Sequence, residues 1–177
     1  MVNMQEVYIP AERLKLLKSN HDLLKRLEDT CNCHLKISQG NSIEIEGDAF
    51  DEFNAKNILY AFGRGFSIEI AEKLLNDEFY FTFIDLADYA KNKNRRTEIK
   101  ARLIGNNGRT KKYIEEVSSA YLSIYGDTIC FIGKADNIAE AETAAKTLIE
   151  GGSHRLAYRR MEAAHKRYRK APESKEV

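Results

Sequence analysis

The stretch RLIGNNGRTKK, from Arg102 to Lys112, decides how this chain is read. Gly105 and Gly108 bracket Asn106 and Asn107. Apolar residues flank them at helical spacing, with Ile99, Leu103 and Ile104 before and Ile114 and Val117 after. Lys100, Arg102, Arg109, Lys111 and Lys112 surround the glycines, and no acid interrupts that run until Glu115. Two short helices meeting at G-x-x-G make a sharp turn. Its glycines supply backbone freedom and remove β-carbons that would hold a ligand away. The turn opens onto the N-terminus of the second helix, whose first amides lack intrahelical partners and carry partial positive charge. That is a seat for phosphate oxygens. Walker and dinucleotide loops both follow a strand, whereas this turn follows a helix. A plain helix-turn-helix is the alternative.

Working outward, FYFTFIDLA (79–87) reads as a strand, 96–104 and 109–118 as helices, and AYLSIY and TICFIG as a hairpin around Gly126-Asp127. DNIAEAETAAKTLIEGG is an alanine-rich helix with a glycine stop. The order is β-α-α-β-β-α. The N-terminal half repeats it: EVYIP, helices over 11–18 and 22–30, a hairpin around Gln39-Gly40-Asn41, and a helix over 48–62. Leu27-Glu28-Asp29 aligns with Ile114-Glu115-Glu116, Leu35 with Leu122, Ile37 with Ile124, and, one residue of slippage later, Gly47 with Gly133. A short helix capped by Ser67 joins the copies. The fold class is α+β.

The first copy lacks the glycine device. KSNHD (18–22) falls where the loop belongs, and Asp22 would repel a phosphate. Charge divides the same way. Residues 1–90 hold 9 Lys+Arg against 16 Asp+Glu, a net of −7, and residues 91–177 hold 19 against 11, a net of +8. Such a split points to one half that meets a polyanion and one that does not. Beyond Gly151-Gly152, SHRLAYRRMEAAHKRYRK (153–170) reads as a helix capped by Ser153. Leu156, Ala157, Met161, Ala164 and Tyr168 share one face, and Arg155, Arg159, Arg160, Lys166, Arg167, Arg169 and Lys170 cover much of the rest. It is either a solvated helix or one docked on the second copy that widens a basic surface. APESKEV (171–177) reads as a disordered tail.

Other chemistry finds no foothold. No apolar run reaches the roughly 18 residues of a membrane span. The first residues show neither the basic nor the apolar region of a signal peptide, so a cytoplasmic protein is expected. Cys31, Cys33 and His34 invite zinc, but Cys130 is the one other cysteine, and small residues at a helix-to-strand junction are the plainer reading. His21, His34, His154 and His165 pair with no nucleophile in a recognisable motif, and Asp85 with Asp88 falls short of a nuclease's carboxylate cluster. No enzyme, cofactor or metal is expected.

A G-x-x-G turn inside β-α-α-β-β-α resembles the type I KH domain, whose loop clamps about four nucleotides of single-stranded nucleic acid. An apolar groove beside the loop receives bases in that family; Ile99, Leu103, Leu122 and Ile124 are candidates here, with hydrophobic core as their other reading. More specifically, VYIPAERL (7–14), AFGRGFSIEIAEKLL (61–75), FIDLADYA (83–90), ARLIGNNGRTKKYIEE (101–116), SIYGDTICFIG (123–133) and LIEGGSHRLAYRRME (148–162) resemble an archaeal KH-domain family. That family serves small-subunit ribosome biogenesis and is related to the eukaryotic partner-of-Nob protein. The resemblance implies two tandem KH-like domains, the first over 1–66 without G-x-x-G, a linker helix over 67–78, the second domain over 79–152, and a basic C-terminal helix over 153–170. It implies RNA binding near the 3′ end of small-subunit rRNA through Arg102, Ile104, Gly105, Asn106, Asn107, Gly108, Arg109, Lys111 and Lys112, with Arg155, Arg159 and Arg160 widening the surface. A PIN-domain endonuclease and the alpha subunit of translation initiation factor two are the implied protein partners. Many KH loops carry a basic residue between the glycines. Here both positions are asparagine, which shifts the electrostatic burden to Arg102, Arg109 and the C-terminal helix. The competing reading is a protein-interaction adaptor that uses KH folds as scaffolds.

Overall fold

The computed structural model of the protein describes residues 5–38 and 40–170. The expected disordered tail over 171–177 lies outside the described residues, as does Gln39 of the first hairpin. The chain divides into two compact units, Met1–Asp77 and Glu78–Val177.

The first unit runs β1 (Gln5–Tyr8), α1 (Ala11–Ser19), α2 (His21–Cys31), β2 (His34–Ile37), β3 (Ser42–Glu46) and α3 (Ala49–Gly63). Its antiparallel sheet has the order β1-β3-β2. Strand alternation sorts the side chains. Val7 pairs with Ile43 and Leu35 with Ile45, and all four are buried, while Glu6 pairs with Glu44 and Lys36 with Glu44 on the opposite face. Leu14, Leu17, Leu27 and Ile58 from the helices close the core. The segment expected as a separate linker belongs to this unit. α4 (Ile68–Ala71) and a 3-10 turn over Glu72–Leu75 follow Ser67, whose hydroxyl accepts from the Ile70 amide. Ile68 and Ala71 are buried, and Arg26 of α2 pairs with Glu69 and Glu72.

The second unit runs β4 (Tyr80–Asp85), α5 (Lys93–Ile104), α6 (Arg109–Ser118), β5 (Tyr121–Tyr125), β6 (Thr128–Gly133), α7 (Ala135–Ile149) and α8 (His154–Lys170). Its sheet order is β4-β6-β5. β6 lies between two partners, and all six of its residues are buried. Phe131 meets Ile129, Leu103, Ile114 and Leu148 in one apolar cluster, each such side chain contributing about 1.5–3 kcal/mol. α5 begins a turn earlier than its apolar spacing suggests, because the Asn92 side chain accepts from the Asn94 amide at 2.8 Å and caps it. Ser153 caps α8 in the same way, and Ala157 and Met161 of α8 join the core of this unit.

The internal repeat recurs in hydrogen bonds. Glu28 accepts the Leu35 amide at 2.8 Å, and Glu115 accepts the Leu122 amide at 2.8 Å. Asn32 ends α2 and Ser119 ends α6, both left-handed at φ 50 and 59. A β-carbon on Gly47 would stand 3.1 Å from that of Cys33, and one on Gly133 would stand 3.3 Å from that of Ala120. These matches share the spacing of the sequence repeat, so each strand leaves its helix by the same device.

Candidate nucleic-acid interface

The turn between α5 and α6 is built by two glycines with different tasks. Gly105 sits at φ 71, ψ 176, a region essentially closed to residues with a β-carbon. A β-carbon there would lie 2.2 Å from Thr110 Oγ1, so what it would strike is the protein's own buried threonine, not a ligand. Asn106–Gly108 forms one 3-10 turn, closed by the Gly108 amide donating to the Gly105 carbonyl at 3.2 Å. Asn107 is left-handed at φ 53, which asparagine tolerates better than most residues. Gly108 is left-handed at φ 74, and a β-carbon on it would meet nothing within 4 Å. Gly105 serves packing, and Gly108 keeps an open, side-chain-free surface at the start of α6.

The basic run is less uniform than its sequence. Arg109 is exposed at the head of α6, and the first turn of that helix carries no acid. Lys111 faces Glu115 at 3.3 Å in a half-buried pair, and Lys112 faces Glu116 at 3.6 Å in an exposed one that leaves Lys112 available to a stronger anion. Lys100 turns away to the Gly126 carbonyl at 2.9 Å and Asp127 at 3.0 Å. That hydrogen bond holds the Asp127 carboxyl below its ordinary range. Arg102 is also engaged within the protein. Its guanidinium donates to the Leu148 carbonyl at 2.9 Å and to the Gly152 carbonyl, so it braces α5 against the end of α7 and is not a free cation at the loop.

The groove candidates divide as well. Ile99, Leu103 and Leu122 are fully buried and belong to the core, and Ile124 is half-buried. Ile104, at 40% exposure, is the apolar side chain that α5 presents to solvent beside the turn.

α8 supports this turn through contacts that residue spacing does not reveal. Tyr158 reaches Thr110 Oγ1 at 3.3 Å, and its ring packs 4.4 Å from that of Tyr113. The Tyr113 hydroxyl donates to Glu162 at 2.5 Å, which pushes its pKa up. His154 Nε2 meets the Arg102 carbonyl at 2.9 Å, and His165 Nδ1 meets buried Glu140 at 2.7 Å. Arg155, Arg159 and Arg160 of α8 do not share one face. Arg155 and Arg159 lie one turn apart and exposed, while Arg160 faces about a third of a turn away and reaches Thr147 at 3.3 Å. No sequence signal singled out Tyr113, Tyr158 or His154, because their partners sit roughly 50 residues away or on another helix. In the first unit, Cys31 and Cys33 hydrogen-bond to one another, which raises the pKa of Cys31 and lowers that of Cys33. Among the described residues no three His, Cys, Asp or Glu side chains form a group able to hold a metal, and no helix is long and apolar enough to cross a membrane.

Residues 80–166 match the family of the second KH domain of PNO1, described as a eukaryotic-type KH domain, type I. The chain is 32% identical over 169 residues to a KH domain-containing protein of Methanocaldococcus jannaschii, covering 92% of this chain and 74% of that one. It is 24% identical over 166 residues to the pre-rRNA-processing protein PNO1 of Chaetomium thermophilum, where it spans 64% of the fungal protein. A chain in the crystal structure of the a/eIF2alpha-aDim2p-rRNA complex from Pyrococcus horikoshii matches with a TM-score of 0.84 and 32% identity, over 93% of this chain and 95% of that one.

Proposed function

The chain belongs to the PNO1-type KH-domain family, and from that premise we propose that it is a single-stranded RNA-binding factor of small-subunit ribosome assembly. The observation that carries this is the open turn over Gly105–Gly108. KH proteins clamp about four backbone nucleotides at such a turn. Here the left-handed Gly108 removes the side chain at the clamp, and Arg109, Lys111 and Lys112 supply the charge. Ile104 offers the apolar contact for a base beside it. Asn106 and Asn107 bring hydrogen-bonding capacity rather than charge. Arg155 and Arg159 extend the basic surface, and Arg102 and Arg160 act first as braces.

The RNA in this proposal is the 3′ region of the small-subunit rRNA precursor, and the compartment is the cytoplasm. Nothing in a KH fold calls for catalysis, so cleavage falls to a separate endonuclease of the PIN-domain kind. The first unit supports a second role. It is acidic, its helix turn has no glycine, and the similar Pyrococcus horikoshii chain was crystallised in a complex with a/eIF2alpha. A contact with the initiation factor's alpha subunit suits that unit, and the second unit carries the RNA.

The test is a titration with single-stranded RNA from the 3′ end of the organism's small-subunit rRNA, a scrambled strand of equal length, and Gly108→Asp. Tight, sequence-preferring binding that falls steeply with salt and is lost in the variant is the expected result. Equal binding of both strands by both proteins would leave the adaptor role as the better reading.

A further inference from the structure

The turn has two flanks, and only one is absorbed by the proposed groove. Ile104 and Lys100 lie on the flank of α5 that faces the β5–β6 hairpin, where Lys100 reaches Gly126 and Asp127. Glu98, Ala101, Arg102 and Gly105, at helical spacing, form another stripe about a third of a turn from Ile104. That stripe lines a cavity of about 470 Å³ between α5, the turn and the first two turns of α8, within the range of small-ligand sites.

Its lining suits a planar ligand. Tyr158 and His154 stand with ring centroids 6.2 Å apart, edge to face. Both rings are fixed before any ligand arrives, Tyr158 by Thr110 and Tyr113, and His154 by the Arg102 carbonyl. Arg109 lines the same cavity and is exposed, so a cation stands at its solvent side. Glu98 is the single carboxylate in the lining, and Ala101 adds only a methyl. Preset aromatic faces beside an arginine are what proteins use to stack an unpaired base next to a bound phosphate. A carboxylate adds an acceptor for an exocyclic amino group.

We infer that this cavity is a base-binding subsite for one nucleotide outside those clamped at Gly105–Gly108. The inference rests on the RNA-binding reading of the turn. The strand passes from the phosphate seat over Arg109, and the next base enters behind α5 and stacks between the turn and α8. Glu98 then favours bases with an amino group, so adenine, cytosine and guanine are preferred over uracil.

The experiment uses the full chain and a short single-stranded RNA from the 3′ end of small-subunit rRNA, with an abasic site moved along it one position at a time. Wild-type protein loses about tenfold in affinity at one position outside the clamped nucleotides, the usual scale for one stacked base. Ala101→Phe, which fills the cavity from an exposed helix position, loses the same factor and becomes indifferent to that abasic site. Ala101→Met is the second variant should the larger ring impair folding, which thermal melting will report. Restoring uracil at that position recovers less affinity than restoring the other bases. Two results overturn the subsite: no sensitive position outside the clamp, or an Ala101→Phe effect that multiplies with every abasic site alike. Gly108→Asp separates this from the parent reading. If it abolishes binding while Ala101→Phe changes nothing, only the subsite fails; if it binds as wild type does, the clamp itself fails and the subsite with it.

Discussion

The two helix–helix turns of this chain occupy the same place in one repeated unit and solve it differently. Between α1 and α2 a single residue, Asn20, makes the turn at φ −126, and its side chain accepts the Leu23 amide at 3.2 Å. Between α5 and α6, four residues make it, and Gly105, Asn107 and Gly108 all have positive φ. The first turn caps its own helix with a side chain, and Asp22 sits in the first turn of α2. The second leaves the head of α6 without a side-chain cap and surrounds it with cations. The Glu28 and Glu115 hydrogen bonds and the left-handed ends of α2 and α6 are held in common. The unit is therefore a shared scaffold, and the longer turn with its positive-φ residues is what the second copy adds to it, the feature on which the proposed RNA binding rests.

Breaking the second turn is the most damaging change. Gly105→Ala forces a β-carbon onto Thr110 in a backbone region reserved for glycine, and we expect a loss of about 3 kcal/mol in urea unfolding together with RNA binding. Asn20→Ala in the first turn removes only a cap and costs about 1 kcal/mol, with RNA affinity unchanged. Equal costs would mean that the second turn relaxes to accommodate a β-carbon at position 105.

Gly108 sharpens the comparison, because its tolerance and its function separate. Its left-handed backbone accepts Asn or Asp at about 1 kcal/mol, and there is open space for either. Gly108→Asn retains part of the RNA affinity, whereas Gly108→Asp loses more than tenfold beyond it, since a carboxylate repels the phosphate that the amides attract. Matching losses in anisotropy titrations would show that bulk, not charge, closes the site.

How far the sequence reached follows from the kind of signal. The repeat, the strand pattern and the glycine turn are local periodicities, and α6, β5 and β6 lie where those periods put them, while α5 starts a turn early at its Asn92 cap. The turn's candidate residues were legible for the same reason. The bracing contacts of Arg102 were not legible, because a cation's partners depend on which carbonyls fold against it, here those of Leu148 and Gly152. Ile99, Leu103 and Leu122 were ambiguous because core and groove share one apolar alphabet. Tyr158 and His154 carried no signal, since they act through α5 and α6 from a later helix.

The common scaffold predicts a symmetrical effect. Glu28→Met and Glu115→Met each strand a part-buried strand amide, Leu35 or Leu122, at a cost of about 1–2 kcal/mol. Hydrogen exchange at those two amides reads each loss locally. Costs that differ by more than about 1 kcal/mol would show that the two copies, alike in geometry, no longer depend on the same bond.

The smallest effect concerns the tie between α5 and the β5–β6 turn. Lys100 donates to Asp127, and Arg96 stands 3.2 Å from the same carboxylate, so the folded protein holds that group ionised below its ordinary pKa. A carboxyl whose folded pKa is depressed contributes stability above its unfolded value, and the contribution disappears as pH falls through the folded one. The second unit should therefore lose this increment on acidification below about pH 4, and Lys100→Met should flatten that limb of the stability curve. Added salt should shrink the difference between wild type and variant, because the carboxylate is exposed to solvent. An acid limb unchanged by Lys100→Met at low salt would mean that the turn is held by its own backbone, and that the Lys100–Asp127 pair is incidental.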